Sequence, residues 1–355
     1  MDSIKLRAGE ESRALTDGWR LGSARDGVSI PNRVVLAPLA GIGNWFVRLQ
    51  AKRYGAGMAV SEMVSSHAVH YGNPKTCNEM LRIDPRERAG GPVSIQLFGE
   101  DPAMMRSAAA HVAGVGADAI DINMGCPVAK VQKTGAGAAL IDDPDRAVEV
   151  ARAAVEGAVG ERGALPVTVK LRSGLRPGEE SGFDLAHRLV DEAGVAAIGF
   201  HPRSAAVQHR GVPDYALAAR LVESLPAPVI LTGGMDDADS ARDAFASTGA
   251  AALMLARGSL GNPWLFTELL SGDRQQPTRE QVLAELDWTV ECAVEHLGPE
   301  RAGRYLRKFY PWYIERLELD AHAARALKEA LQSAATVDEA RELLQPSRLT
   351  LEPAS

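Results

Sequence analysis

The feature that most constrains the fold is a repeat of short apolar segments, each ended by glycine, proline or polar residues. Helix-like segments follow most of them, among them 101–114, 144–157, 183–193, 214–225 and 239–247. Strands that are apolar along their whole length are buried on both faces, as in parallel sheets. Eight such units over about 250 residues predict an α/β fold, a closed (β/α)8 TIM barrel. The predicted strands are 34–37, 58–62, 93–98, 119–123, 167–171, 195–201, 229–232 and 250–256.

The composition changes after the last predicted strand and indicates a second, all-helical domain. Residues 278–344 have helical periodicity, few glycines and no clear strand. We therefore predict a flexible tail at 1–18, a barrel at 19–272 with a small hairpin at its base, a helical domain at 273–345 and a tail at 346–355. Arginines at spacings of three, beginning at Arg301, would share a helix face beside aromatic residues. That stripe suits nucleic-acid contacts, or it is a solvated helix with its aromatics packed on the barrel.

Charge and cysteine content limit the classes of function. The formal net charge is −7, so nucleic-acid contact would depend on local basic patches. The cysteines Cys77, Cys126 and Cys292 form no Cys-x-x-Cys pair and no disulfide framework, and the histidines have no ligand spacing with acids. We expect no metal site. No long apolar run predicts a membrane span or a signal peptide, and a reducing cytoplasm is the expected location.

The stretch 118–140 carries the strongest chemical signal. An apolar strand ends abruptly at Gly125-Cys126-Pro127, because proline has no N–H for a strand ladder. Lys130 and Lys133 follow, and then a run of small residues. Free cysteines are usually buried as small apolar residues. A thiol at the carboxyl end of a strand, beside a basic glycine-rich segment, favours a functional role instead.

The other strand ends predict a cavity for a planar ligand that bears a phosphate. Gly233-Gly234 and Arg257 follow the seventh and eighth strands, where TIM barrels bind phosphate. Gln96 and Lys170 could bind the polar edge of a flavin ring. Structural alternatives are open: Gln96 could satisfy barrel backbone, Lys170 could pair with Glu62, and His201 could be a hydrogen-bonding hub. The other strand-end residues predicted at this mouth are Pro38, Leu39, Ala40, Asn123 and Arg203.

The run Asp121-Ile-Asn-Met-Gly-Cys-Pro127 with the lysines behind it resembles the signature of the tRNA-dihydrouridine synthases, closest to the bacterial DusB-like branch. The similarity extends over most of the chain from about residue 31. It includes 35–41, 60–63, 94–97, 167–170, 201–203, Arg257 with 261–264, and Arg307-Lys308. After Gly41 the family usually continues Ile/Val-Thr-Asp-x-Pro-Phe-Arg, whereas this chain reads 42–48 as Ile-Gly-Asn-Trp-Phe-Val-Arg.

The resemblance implies an FMN-binding barrel that reduces the uracil 5,6 double bond in tRNA, with NADPH as reductant. It implies that Cys126 donates a proton to uracil C5 while hydride reaches C6. A free thiol, with an ordinary pKa of about 8.5, is mostly protonated at neutral pH and can act so. The target base would have to leave the RNA stack. The resemblance and the strand ends together give the FMN residues as Pro38, Leu39, Ala40, Gln96, Lys170, His201, Thr232, Gly233, Gly234, Ala256 and Arg257. They give the substrate residues as Glu62, Asn123, Lys130, Lys133, Arg203, Arg307 and Lys308.

Two other functions fit the same residues. A related barrel flavoenzyme could reduce a free pyrimidine or another small activated alkene, since dihydroorotate-type dehydrogenases share an Asn-x-x-Cys-Pro turn. A non-catalytic RNA-binding protein could keep the barrel as a scaffold. A flavin-coloured protein would favour either enzyme, and dihydrouridine missing from tRNA of a deletion strain would favour the tRNA enzyme.

Overall fold

The structure is a computed structural model that describes residues 14–161 and 163–345. Eight parallel strands form a closed barrel, which confirms the predicted fold class. The barrel strands are β3 Val34–Leu36, β4 Met58–Ser65, β5 Val93–Phe98, β6 Ala119–Met124, β9 Val167–Arg172, β10 Ala197–His201, β11 Val229–Thr232 and β12 Ala252–Leu255. Around the barrel these strands pair in the order β10-β11-β12-β3-β4-β5-β6-β9 and back to β10.

Two small antiparallel hairpins accompany the barrel. The predicted hairpin at the base is present, with β1 Trp19–Leu21 paired to β2 Val28–Ile30. Its residues Leu21 and Ile30 are almost completely buried and belong to the cluster of inward-facing side chains that fills the barrel. A second hairpin joins β7 Val159–Gly160 to β8 Gly163–Ala164. The barrel interior is thus a packed core that is closed at its amino-terminal end.

Capping residues mark the ends of several helices that cover the barrel. Asp101 accepts a hydrogen bond from the Met104 backbone and precedes Pro102, and helix ends at Gly194 and Gly249 take the left-handed conformation that suits glycine. A larger core lies between these helices and the strands. The helices of this part are α1 Trp45–Arg53, α2 Ser66–His70, α3 Pro102–Gly114, α4 Ala129–Gln132, α5 Pro144–Gly157, α6 Ser181–Ala193, α7 Tyr215–Ser224, α8 Ala238–Thr248 and α9 Trp264–Ser271.

A helical region follows the barrel and docks onto α1. Gln50 of α1 donates from Nε2 to Glu285 Oε1 and to Tyr313 Oη, both at 2.8 Å. All three side chains are buried, so these bonds fix the orientation of the helical region. Its helices are α10 Arg279–Leu297, α11 Pro299–Leu306, α12 Tyr310–Ile314, α13 Ala321–Ser333 and α14 Val337–Leu343.

The predicted amino-terminal tail needs a correction. Residues 14–18 pack on the barrel: Leu15 is buried, and the Arg33 N–H donates to the Leu15 carbonyl at 2.8 Å. Residues 1–13 and the predicted tail at 346–355 lie outside the described residues. Across 14–161 and 163–345, no helix is both long enough and apolar enough to cross a bilayer.

Candidate active site

A cavity of about 350 Å³ opens at the carboxyl ends of the barrel strands. The structure brings to it all eleven residues predicted to hold a cofactor, together with Asn123 and Cys126. Strand polarity is the reason, because the carboxyl ends of parallel strands meet at one mouth. The cavity is lined by Ala37, Pro38, Leu39, Ala40, Met63, Gln96, Asn123, Gly125, Cys126, Pro127, Val128, Lys170, Arg172, His201, Gln208, His209, Thr232, Gly233, Gly234, Met235, Asp236, Ala256 and Arg257.

The turn that carries Cys126 is held from both sides. In front, the Asn123 side-chain oxygen accepts the backbone N–H groups of Gly125 and Cys126, at 3.2 and 2.9 Å. Behind, the Ala138 N–H donates to the Cys126 carbonyl at 3.1 Å. A Cβ at Gly137 would lie 3.2 Å from the Cys126 Cβ, so the run of small residues lets the two segments pack closely. The half-buried thiol therefore has a fixed position at the cavity wall.

A buried hydrogen-bond chain connects this turn to the barrel interior. Asn123 donates from Nδ2 to Gln96 Oε1 at 2.9 Å, and Gln96 donates from Nε2 to Asp121 Oδ2 at 2.6 Å. Thr168 donates to the second oxygen of Asp121 at 2.5 Å. Gln96 therefore bonds side chains, not the barrel backbone that was one predicted alternative. Because a carboxylate only accepts, Asp121 fixes which end of the Gln96 amide faces Asn123.

Lys170 lies beside this chain and faces Asp121, not Glu62. Burial, and after it the charge of nearby Arg172, lower the pKa of Lys170 to about 8, although Asp121 opposes both effects. Burial raises the pKa of Asp121 to about 6, against its hydrogen bonds from Thr168 and Gln96. Each group thus favours the charged form of the other.

Arg172, the last residue of β9, lines the cavity and was not predicted as a site residue. Its Nε donates to the Gly125 carbonyl at 2.9 Å, and its Nη1 donates to the carbonyls of Gln208 at 2.7 Å and Ser204 at 3.1 Å. It thereby joins the Cys126 turn to the loop after β10. Gln208 has a positive φ of 55°, which is uncommon for a residue other than glycine, and this bond holds it there.

The opposite wall of the cavity has the features of a phosphate site. Gly233 and Gly234 have positive φ angles of 98° and 80°. A Cβ at Gly233 would lie 2.3 Å from the His201 ring, so only glycine lets the backbone pass there. Arg257 begins a short 3₁₀ turn beside them, and its exposed guanidinium has no hydrogen-bond partner among the described residues. Backbone and arginine at this position can bind an anion.

Several residues predicted to bind substrate lie elsewhere. Glu62 and Lys308 line a second cavity, and Lys130 and Lys133 are exposed on and beside α4, outside both cavities. Two other residues predicted to bind substrate make contacts within the protein. Arg203 is buried outside the first cavity, where it contacts His201 and donates to the Gly211 carbonyl at 2.7 Å. Arg307 turns into the helical region and donates to the Ala334 carbonyl.

The second cavity, of about 330 Å³, lies between the loop after β3 and the helical region. Burial raises the pKa of Glu62 there, although the Gly41 N–H donates to its carboxylate at 3.0 Å. Lys308 donates to the carbonyl of the same Gly41 at 3.0 Å. Five of the nine remaining lining residues are basic or aromatic, namely Lys75, His296, Arg301, Arg304 and Tyr305, and the other four are Asn44, Glu79, Met80 and Leu297.

The part of the chain that the structure describes contains no group of three or more His, Cys, Asp or Glu residues placed to hold a metal ion. The first cavity brings together a thiol, a half-buried lysine and an exposed arginine beside two glycines. Fold and site together define a TIM-barrel protein with a cysteine in the cavity at the carboxyl ends of its strands.

Comparisons with known proteins assign the chain more closely. The family model described as "Dihydrouridine synthase (Dus)" matches residues 35–352. A tRNA-dihydrouridine synthase B of Pseudomonas aeruginosa is 34% identical over 297 residues, covering 81% of this chain and 86% of that protein. A probable tRNA-dihydrouridine synthase of Rhodobacter capsulatus is 35% identical over 295 residues, covering 82% and 88%. The chain belongs to the dihydrouridine synthase family.

Solved structures support the fold independently. A morphinone reductase variant in complex with tetrahydroNAD aligns with a TM-score of 0.55 at 18% identity, covering 76% of this chain and 94% of that chain. The old yellow enzyme homologue from Zymomonas mobilis aligns with a TM-score of 0.53 at 15% identity, covering 74% and 94%. At these identities the similarity establishes the barrel architecture.

Proposed function

We propose that this protein is a flavin-dependent oxidoreductase that reduces uridine in tRNA to dihydrouridine, with FMN as cofactor and NADPH as reductant. The observation that carries the proposal is the cavity at the barrel mouth, which places Cys126 in the same wall as Gln96 and Lys170, across from the Gly233 and Arg257 cradle. Family membership supports the reaction, since curated relatives are named tRNA-dihydrouridine synthases.

The residues present fit a flavin mononucleotide. The positive φ of Gly233 and Gly234 lets backbone approach a phosphate, and Arg257 supplies a cation that no described residue neutralises by an ion pair. On the other side, Lys170 supplies positive charge to the polar edge of a planar ring, and Gln96 keeps a fixed amide orientation. Pro38, Leu39, Ala40, His201, Thr232 and Ala256 complete the proposed FMN site.

When bound, the flavin would supply the hydride that reaches uracil C6, with NADPH as the reductant of the flavin. Cys126 donates its thiol proton to C5 as negative charge develops there. The cationic side chains of Lys170 and Arg172 stabilise the thiolate that remains, and solvent at the open cavity returns the proton. Asn123 keeps the turn in place through its two backbone contacts. The base enters the cavity only when it is extruded from the RNA stack.

The second cavity supports a polyanionic substrate over a free pyrimidine. Lys75, Arg304 and Lys308 line it, and it shares the loop after β3 with the first cavity. Cationic side chains beside a catalytic cavity suit an RNA backbone that continues past the reacting base. Lys130 and Lys133, exposed behind the Cys126 turn, are proposed to add to this surface.

A cysteine variant tests the proposal. In Cys126→Ala, uridine reduction should fall by at least two orders of magnitude, the lower range for loss of a general acid. FMN binding and NADPH oxidation by oxygen should persist. Cys77→Ala, at another half-buried cysteine, is the matched control and should keep full activity. Dihydrouridine mapping of tRNA from a deletion strain identifies the substrate. An unchanged tRNA would favour a small pyrimidine or alkene, and a protein that binds no flavin would contradict both enzymatic readings.

A further inference from the structure

His201 and Arg203 form a buried pair that the proposed reaction leaves without a defined role. The His201 side chain is 5% exposed and that of Arg203 is 7% exposed. Arg203 Nη1 lies 3.3 Å from His201 Nε2, and Arg203 Nη2 donates to the Gly211 carbonyl at 2.7 Å. The second bond anchors the guanidinium, so the side chain of Arg203 is held in place beside the imidazole.

The contact determines where the imidazole carries its proton. A guanidinium is always charged and can only donate hydrogen bonds. His201 Nε2 must therefore accept, and an accepting nitrogen carries no proton. A neutral imidazole has one N–H, which must then lie on Nδ1. The Nε2 edge of the ring also faces Gly233, where an added Cβ would lie 2.3 Å from Cδ2 and Nε2.

The surroundings keep the ring from gaining a second proton. Burial moves the pKa of His201 far below its ordinary value, and the charges of Lys170 and Arg172 on β9 and of Arg203 move it further in the same direction. His209 stacks on His201 with ring centroids 6.0 Å apart. Burial and the neighbouring cations lower the pKa of His209 to about 4, so it adds no charge at neutral pH. From β11, Gly233 presents only backbone.

We propose that Arg203 is a positioning residue that holds His201 as a neutral imidazole protonated at Nδ1, so that the ring presents a permanent N–H donor to the barrel-mouth cavity. His201 lines that cavity, and no described residue accepts a hydrogen bond from its Nδ1. His201 is therefore neither a proton donor for turnover nor a cation. The proton donor of the proposed reaction is thus Cys126 and not His201, whose N–H is assigned to an acceptor oxygen of the bound ligand.

The tautomer assignment rests on geometry alone, whereas the acceptor on the ligand rests on the proposed flavin function. Nitrogen NMR of the protein labelled with ¹⁵N-histidine tests the first part, with and without FMN. His201 should show a pyrrole-type Nδ1 and a pyridine-type Nε2 that do not change between pH 5 and 8. The spectrum of His201→Gln identifies its signals among the eight histidines. A pyrrole-type Nε2, or protonation of this ring within that range, would overturn the assignment.

Variants of Arg203 test whether this residue sets the tautomer of His201 or only packs against it. Arg203→Met should allow the Nε2–H form and weaken FMN binding about fivefold, the equivalent of one net hydrogen bond of about 1 kcal/mol. Arg203→Lys keeps a donating cation and should retain the Nδ1–H form. Arg210→Met, an exposed arginine in the same loop, is the control and should change neither. If Arg203→Met does not fold, the wild-type spectrum and Arg203→Lys still decide the question.

The outcomes distinguish this inference from the proposed function. An Nδ1–H signal in a protein that binds no flavin would support the positioning by Arg203 and refute the flavin function. Suppose that the unaltered protein shows the Nδ1–H signal and that a folded Arg203→Met has gained the Nε2–H form. Unchanged FMN affinity in this variant would then overturn the donor role of His201. Loss of the Nδ1–H form in Arg203→Lys would show that a donating cation is not what fixes the ring.

Discussion

Replacing Gly233 with alanine would place a methyl group where the His201 ring now lies. The Cβ would be 2.3 Å from both Cδ2 and Nε2 of that ring, on a residue with a φ of 98°. Backbone strain at such a φ costs roughly 1–3 kcal/mol for a residue with a side chain. Forcing an extra methyl into packed surroundings adds roughly 1–3 kcal/mol. We expect Gly233→Ala to lower the free energy of unfolding by roughly 2–6 kcal/mol, the sum of both effects.

Gly178 supplies a matched control for the strain. Its φ of 83° is also positive, but an added Cβ would meet no atom within 4 Å. Gly178→Ala should therefore show the strain alone, roughly 1–3 kcal/mol. Urea unfolding followed by tryptophan fluorescence gives the two free energies. The difference between the two variants then isolates the collision with His201.

The same pair of variants distinguishes an effect on phosphate binding from an effect on the stability of the fold. Gly233→Ala displaces the His201 ring and moves backbone N–H groups, so FMN affinity by fluorescence titration should fall by at least about tenfold, or about 1.4 kcal/mol. Gly178→Ala should bind FMN as the unaltered protein does. If Gly233→Ala is no less stable than Gly178→Ala and binds FMN normally, the assignment of this wall is wrong.

Two other perturbations follow from buried charges. Arg48 and Glu87 pair at 2.8 Å with both side chains 0% exposed, so Glu87→Gln leaves a buried cation uncompensated and should cost about 3–5 kcal/mol in urea unfolding. Glu79→Gln, which breaks the partly exposed pair with Arg301, should cost less than about 1 kcal/mol, and equal losses would contradict the role of burial. Because the pKa of Lys170 is about 8, its positive charge is lost as pH rises through that value. FMN affinity should therefore fall between pH 7 and 9, and persistence of this step in Lys170→Met would assign it to another group.

The strand ends were predictable because each is marked by a change from apolar residues to glycine, proline or polar residues. The direction in which side chains near a strand end point was not predictable. In β4 the register with β5 shifts between Val60 and Met63. Met63 therefore lines the first cavity while Glu62 lines the second. A β-bulge of this kind depends on pairing with the neighbouring strand, and no residue pattern in the chain indicates it.

The two arginines after neighbouring strands show the same limit. Arg172 is the last residue of β9 and Arg203 follows β10, and the sequence favoured Arg203 as the one that meets substrate. In the structure Arg172 lines the cavity and holds the carbonyls of Gly125 and Gln208, whereas Arg203 lies behind His201. Which arginine reaches the cavity depends on loop conformation, including the positive φ of Gln208, which residue type alone does not predict.

The roles of the basic residues in the helical region depend on the residues that they contact in the structure. Arg301 pairs with Glu79 at 2.7 Å and Arg307 holds the Ala334 carbonyl, so two of the predicted phosphate ligands are already engaged. Aromatic residues beside them pack on the barrel, as the structural alternative predicted, with Phe309 against Phe46. The cations left for a polyanion come from separate segments that meet only because the helical region docks on α1 through buried hydrogen bonds. The proposed RNA surface is thus a product of that docking, and it is fixed relative to the Cys126 cavity by the same contacts.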